Sequence, residues 1–97
     1  MPRLMEQLQE RREVIMSLAA RHGVHNVRVF GSVARGDDRA NSDVDFLVTL
    51  DPARHLKDSY AFKRELSRLL HRKVDVVLDG SLPWYVREGI LAEAKPL

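Results

Sequence analysis

The chain has 97 residues, 44% of them hydrophobic and 31% charged, with a formal net charge of +2. That length holds one domain (residues 1–97) with one modest core, and leaves no room for a second domain that would bind a substrate. The near-balanced charge argues against direct nucleic-acid binding, the absence of cysteine excludes disulfides and thiolate metal sites, and no apolar run approaches the ~20 residues of a membrane span.

Residues 3–22 carry Leu4, Leu8, Ile15, Leu18 and Ala19 at helical spacing, which predicts one amphipathic helix. Pro2 suits its start and Gly23 its C-terminal cap, and Arg11 and Arg12 read as a wet face near its middle. "NVRVF" (26–30) is a short strand with Val27 and Val29 on one face. "SVARG" is expected to form a single helical turn, and "GDDRANS" (36–42) a polar loop. "DVDFLVTL" (43–50) is the clearest strand: Val44, Phe46, Val48 and Leu50 share one face, and Asp43, Asp45, Leu47 and Thr49 the other. A helix is expected from about Ser59 to His71, with Phe62, Leu66, Leu69 and Leu70 inward. "KVDVVLD" (73–79) repeats the strand pattern, with Asp75, Val77 and Asp79 opposite Val74, Val76 and Leu78. Pro83 opens a last helix to about Ala94, with Val86, Ile90 and Ala94 inward. The order α-β-β-α-β-α is that of an α+β (α/β-like) domain. The passage from 43 to 79 favours a parallel strand pair, with helices covering one sheet face and leaving the other partly open.

Asp43 and Asp45 point the same way, their Cα atoms ~7 Å apart. If the strands 43–50 and 73–79 are neighbours, Asp75 joins them on the open face. Three carboxylates in one place repel, and a hard divalent cation such as Mg²⁺ relieves the repulsion. Two such ions can clamp an in-line phosphoryl transfer. Alone, a D-x-D pair is as readily a solvated strand edge. Gly31-Ser32, placed directly after a strand, adds a second element: glycine lets the backbone approach a phosphate, and the hydroxyl and nearby N–H groups can donate to it. Arg35 reads either as a phosphate contact or as an ion pair within its loop.

At "FGSVARG", "SDVDFLV" and "VDVV" the sequence resembles the nucleotidyltransferase superfamily that includes DNA polymerase beta. It departs from the fuller pattern in having a single glycine before Ser32. In length and element order it resembles the minimal nucleotidyltransferases of bacteria and archaea, many of which are antitoxins encoded beside a HEPN-type ribonuclease toxin. The resemblance implies a nucleotidyltransferase fold with a small mixed sheet in order 1-2-3. It implies that Asp43, Asp45 and Asp75 ligate Mg²⁺, as two ions, and serve catalysis, and that Gly31 and Ser32 hold the phosphates of ATP. In the antitoxin subgroup it implies transfer of AMP from ATP to a tyrosine of the toxin, with which the chain would form a hetero-oligomer in the cytoplasm. Two alternatives stay open: a non-catalytic module that neutralises a toxin by docking, and a nucleotidyltransferase acting on a small molecule or an RNA end.

The four histidines are scattered and suggest no metal site. Trp84 and Tyr85 read as packing residues of the last helix or, if exposed, as anchors for a partner, and the charge-rich helix faces as solvated surface or as docking faces for an acidic partner.

Overall fold

Four strands form one mixed sheet in a computed structural model that describes residues 3–97, so Pro2 lies outside the described residues. The elements in chain order are α1 (Leu4–Glu10), α2 (Arg12–Arg21), β1 (Val24–Phe30), α3 (Ser32–Arg35), β2 (Val44–Leu50), α4 (Leu56–Leu70), β3 (Val74–Leu78), a 3₁₀ turn (Asp79–Ser81), α5 (Trp84–Glu93) and β4 (Lys95–Pro96). The sheet order is β3-β2-β1-β4. The expected 1-2-3 arrangement is therefore present, with β1 antiparallel and β3 parallel to β2, and β4 is added beyond β1. β4 escapes sequence reading because two residues, one a proline, carry no alternating pattern; an edge position tolerates the missing N–H.

The apolar rows of the strands bury against α2 and α4. Val27, Val29, Val44, Phe46, Val48 and Val74 cluster with Leu8, Ile15, Leu18, Phe62 and Leu66. β1 starts two residues earlier than its pattern predicts. A register shift between His25 and Arg28, with Asn26 at φ 52°, lets Val24 and Val27 both reach the core, which strict alternation forbids. α4 likewise starts at Leu56, where the backbone N–H of His55 donates to the Asp58 carboxylate at 3.0 Å and supplies the missing start signal.

The single N-terminal helix is in fact two. The backbone leaves helical geometry at Arg11 (φ −100°, ψ 13°). The two arginines are not merely solvated: Arg11 Nη1 donates to the Leu69 carbonyl and Arg12 Nε to the Leu97 carbonyl, each at 2.8 Å. The break thus satisfies a carbonyl at the end of α4, where no intrahelical donor exists, and ties down the end of the chain. Gly23 follows α2 at φ 68°, the left-handed geometry expected just past a helix end.

The opposite sheet face carries Arg28, Asp45, Thr49 and Asp75, with Leu47 the one fully buried side chain of that row in β2. α5 buries none of its residues; Val86 and Ile90 are half-buried. Trp84 and Tyr85 are 86% and 71% exposed, which corrects their reading as packing residues. Among the described residues no helix is long and apolar enough to cross a membrane.

Phe62 joins α4 to the sheet and is fully buried. Phe62→Ala is expected to cost about 3–5 kcal/mol, a fall in thermal midpoint of at least ~10 °C by circular dichroism. A fall of only a degree or two would show that α4 is not part of the core.

Candidate functional site

Strand register brings the acidic and glycine motifs together. In the parallel pair, Asp45 lies directly beside Asp75, so both side chains leave the same face of the sheet. In the antiparallel pair, Asp45 lies opposite Phe30, the last residue before Gly31. Gly31 therefore packs against the Asp45 side chain. A Cβ at position 31 would run into Asp45 Oδ2, and the backbone there has φ 77°, so both space and conformation require glycine. Ser32 follows as the first residue of α3. Asp43 ends the loop before β2, two residues from Asp45.

The carboxylates differ in surroundings. Burial raises the Asp45 pKa above its ordinary value, and the negative charges of Asp75, Asp43 and Glu93 raise it further, against a smaller opposing pull from Arg35. Asp43 and Asp75 each have a lysine nearby: Lys73 Nζ is 3.8 Å from Asp43 and Lys63 Nζ 3.8 Å from Asp75. These pairs are about half exposed or more, and such pairs contribute little net stability. Among the described residues no three acidic or histidine side chains close around a point as a finished metal cage. The donor chemistry nevertheless fits a hard cation: the donors are all oxygen, Asp45 and Asp75 leave one face of the sheet with Asp43 near enough to act on the Asp45 charge, and Asp45 already bears a cost of charge.

Arg35 makes the ion pair within its loop that the sequence allowed, and a second one to the last helix. Its Nε donates to Asp37 at 3.3 Å within the loop, and its Nη1 to Glu93 at 3.1 Å on α5. Glu93 also accepts the Gly31 backbone N–H, at 2.5 Å. Nothing in the local sequence marks Glu93, because its place depends on β4 returning the chain to β1.

Asp79 directly follows β3, as the first residue of the 3₁₀ turn. The structure makes it the centre of a second polar cluster on the same face. Thr49 Oγ1 donates to it at 2.5 Å and Arg28 Nη2 at 2.8 Å. Burial raises its pKa, but the bonds from Thr49 and Arg28 outweigh that and leave the carboxyl below its ordinary value. Arg87 Nη1 donates to the Asp79 carbonyl at 2.7 Å and ties α5 to the 3₁₀ turn. A groove of about 400 Å³ lined by Val14, Leu18 and Leu69 lies on the helix-covered side, away from these carboxylates.

Residues 11–97 match the nucleotidyltransferase domain family. The chain is 33% identical over 87 residues to a Methanocaldococcus jannaschii relative with a provisional protein adenylyltransferase name, covering 90% of this chain and 94% of the relative. It is 36% identical over 76 residues to protein adenylyltransferase MntA of Thermococcus cleftensis, covering 78% and 77%. A solved structure provisionally described as a minimal nucleotidyltransferase shares 49% identity and a TM-score of 0.85, over 95% of this chain and 94% of that one. A toxin–antitoxin complex with AMP-PNP has the same fold (TM-score 0.74, 21% identity, 87% of this chain and 69% of that one).

Asp45 gives a stability prediction whose sign follows from its raised pKa. Between its unfolded value and its higher folded value, the native state holds more protons, so stability falls as pH rises through that window. Asp45→Asn removes the charge and should raise the thermal midpoint by a few degrees at pH 7, with the gain shrinking toward pH 4. Equal or lower stability of the variant at pH 7 would show that Asp45 carries no such cost.

Proposed function

The chain belongs to the nucleotidyltransferase domain family, and from that premise we propose that it transfers AMP from ATP to a tyrosine hydroxyl of a HEPN-type ribonuclease toxin, acting as its antitoxin. The observation that carries this reading is the register that sets Asp45 against both Asp75 and Gly31. The adenylyltransferase names of the relatives support the reaction class, and the shared fold of a toxin–antitoxin complex supports the kind of partner.

In this reading the Gly31 N–H, the Ser32 hydroxyl and Arg35 hold the ATP phosphates. Asp43, Asp45 and Asp75 hold Mg²⁺, as two ions. Bound Mg²⁺ supplies the positive charge that lets three carboxylates and a triphosphate share one face. The acceptor oxygen attacks the α-phosphorus in line, its bond to phosphorus forms, and the bond from that phosphorus to the bridging oxygen breaks. Pyrophosphate leaves with the bonding electrons, and Asp75 takes the acceptor's proton. The acceptor must come from another molecule, and the open sheet face admits one. The exposed Trp84 and Tyr85 are suited to anchoring a protein partner, since aromatic residues carry much of the energy of such contacts.

The test is intact-mass measurement after mixing the chain with ATP, Mg²⁺ and the HEPN-type protein encoded beside it. The partner should gain one or more AMP units. The gain should vanish with EDTA, and fall at least ~10³-fold in rate when Asp43→Ala and Asp45→Ala are combined. A double variant that still neutralises the toxin, in an assay where no mass is gained even by the unaltered pair, would establish docking instead.

A further inference from the structure

We propose that Glu93 occupies the phosphate seat as an internal anion, which the ATP triphosphate must displace before transfer can begin. This inference rests on the assignment of Gly31 and Arg35 to the nucleotide phosphates. Those same two donors are engaged by one carboxylate: the Gly31 N–H donates to Glu93 Oε1 at 2.5 Å and Arg35 Nη1 donates to Oε2 at 3.1 Å. The amide of Gly31 has one hydrogen to give, so a phosphate oxygen and Glu93 cannot both accept it. Glu93 is thus a two-pronged mimic of the group that the seat is built to take.

Its position on α5 is otherwise unfavourable. Glu93 is the last residue of that helix, where the backbone dipole presents its negative end. It also adds its charge to the field already raising the Asp45 pKa. Gly31 and Arg35 are the compensating contacts. Release of the side chain would cost little packing, because α5 buries no residue. The chain beyond it stays pinned: Val29 pairs with Lys95, and the Leu97 N–H donates to the Val27 carbonyl at 3.1 Å. Displacement is therefore confined to the Glu93 side chain, and the fold keeps its edge strand. An internal competitor lowers the apparent affinity for a ligand by the fraction of time that the seat is open.

Calorimetric titration with Mg²⁺–AMP-PNP tests this. Glu93→Gln, which keeps the shape and removes the charge, should bind about 5- to 20-fold more tightly than the unaltered chain. Glu88→Gln, which removes a charge from an exposed position of the same helix, should change binding by less than about twofold. In the unaltered chain, the carboxyl ¹³C signal of Glu93 should shift as Mg²⁺–AMP-PNP saturates the site, a readout that needs no variant to fold. Equal or weaker binding by Glu93→Gln, or a Glu93 signal that stays still at saturation, would overturn the proposal. If AMP transfer to the partner proceeds in that case, the adenylyltransferase reading survives alone; if neither chain binds Mg²⁺–AMP-PNP, both readings fall.

Discussion

The register of β2 against β3 holds two like charges side by side, and the rest of the site is arranged around that fact. Asp45 cannot move away from Asp75 by a slip of one residue. The same register sets Val44 beside Val74, Phe46 beside Val76 and Val48 beside Leu78, and a slip would turn all of them out of the core. Phe46 and Val48 are fully buried, and burial of this kind contributes about 1.5–3 kcal/mol for each such side chain. Repulsion between two partly solvated carboxylates is smaller than the sum of those terms. The hydrophobic face of the strands therefore enforces the electrostatic strain on the polar one.

How much of this was legible in the sequence follows from the range of each signal. Alternation along β2 and β3 showed which face each aspartate takes, because a period of two is local and the rows are unbroken. The parallel pairing, and with it the meeting of Asp45 and Asp75, followed from the intervening helical pattern. Gly31 could be read as a close approach, although that it approaches Asp45 needed the β1–β2 register. What stayed hidden depends on contacts distant in sequence. The break at Arg11 is explained by carbonyls at Leu69 and Leu97, which no window around residue 11 contains. The bulge at Asn26 and the ion pair of Arg28 with Asp79 have the same character. Trp84 and Tyr85 were misread because an aromatic pair at a helix start looks the same whether the helix is covered or left open.

The last helix shows how a weakly packed element can still be well placed. α5 has no buried residue, yet it is fixed at both ends by polar contacts: Arg87 on the carbonyl of Asp79 near its start, Glu93 on Gly31 and Arg35 at its end. Polar contacts near the surface are individually worth about 1 kcal/mol, so such an element can adjust locally without loss of the core. Under the proposed function, that is the property required of a wall that borders an open site and must admit both a nucleotide and the side chain of another protein.

The charges of the site sort into those already compensated within the chain and the one that is not. Asp43 has Lys73, Asp75 has Lys63, and Glu93 has Arg35 and the Gly31 amide. Each of these partnerships is at least partly exposed, so water and salt screen it, and each can be exchanged for a stronger one at small cost. Asp45 makes no ion pair among the described residues, although it lies where burial and three neighbouring carboxylates all oppose its charge. In the proposed reaction an incoming cation would thus find its greatest gain at Asp45, and an incoming phosphate would find the Gly31 N–H held by Glu93 and Arg35 shared between Glu93 and Asp37. Both exchanges begin from contacts weak enough to give up, on a strand pair too well packed to shift.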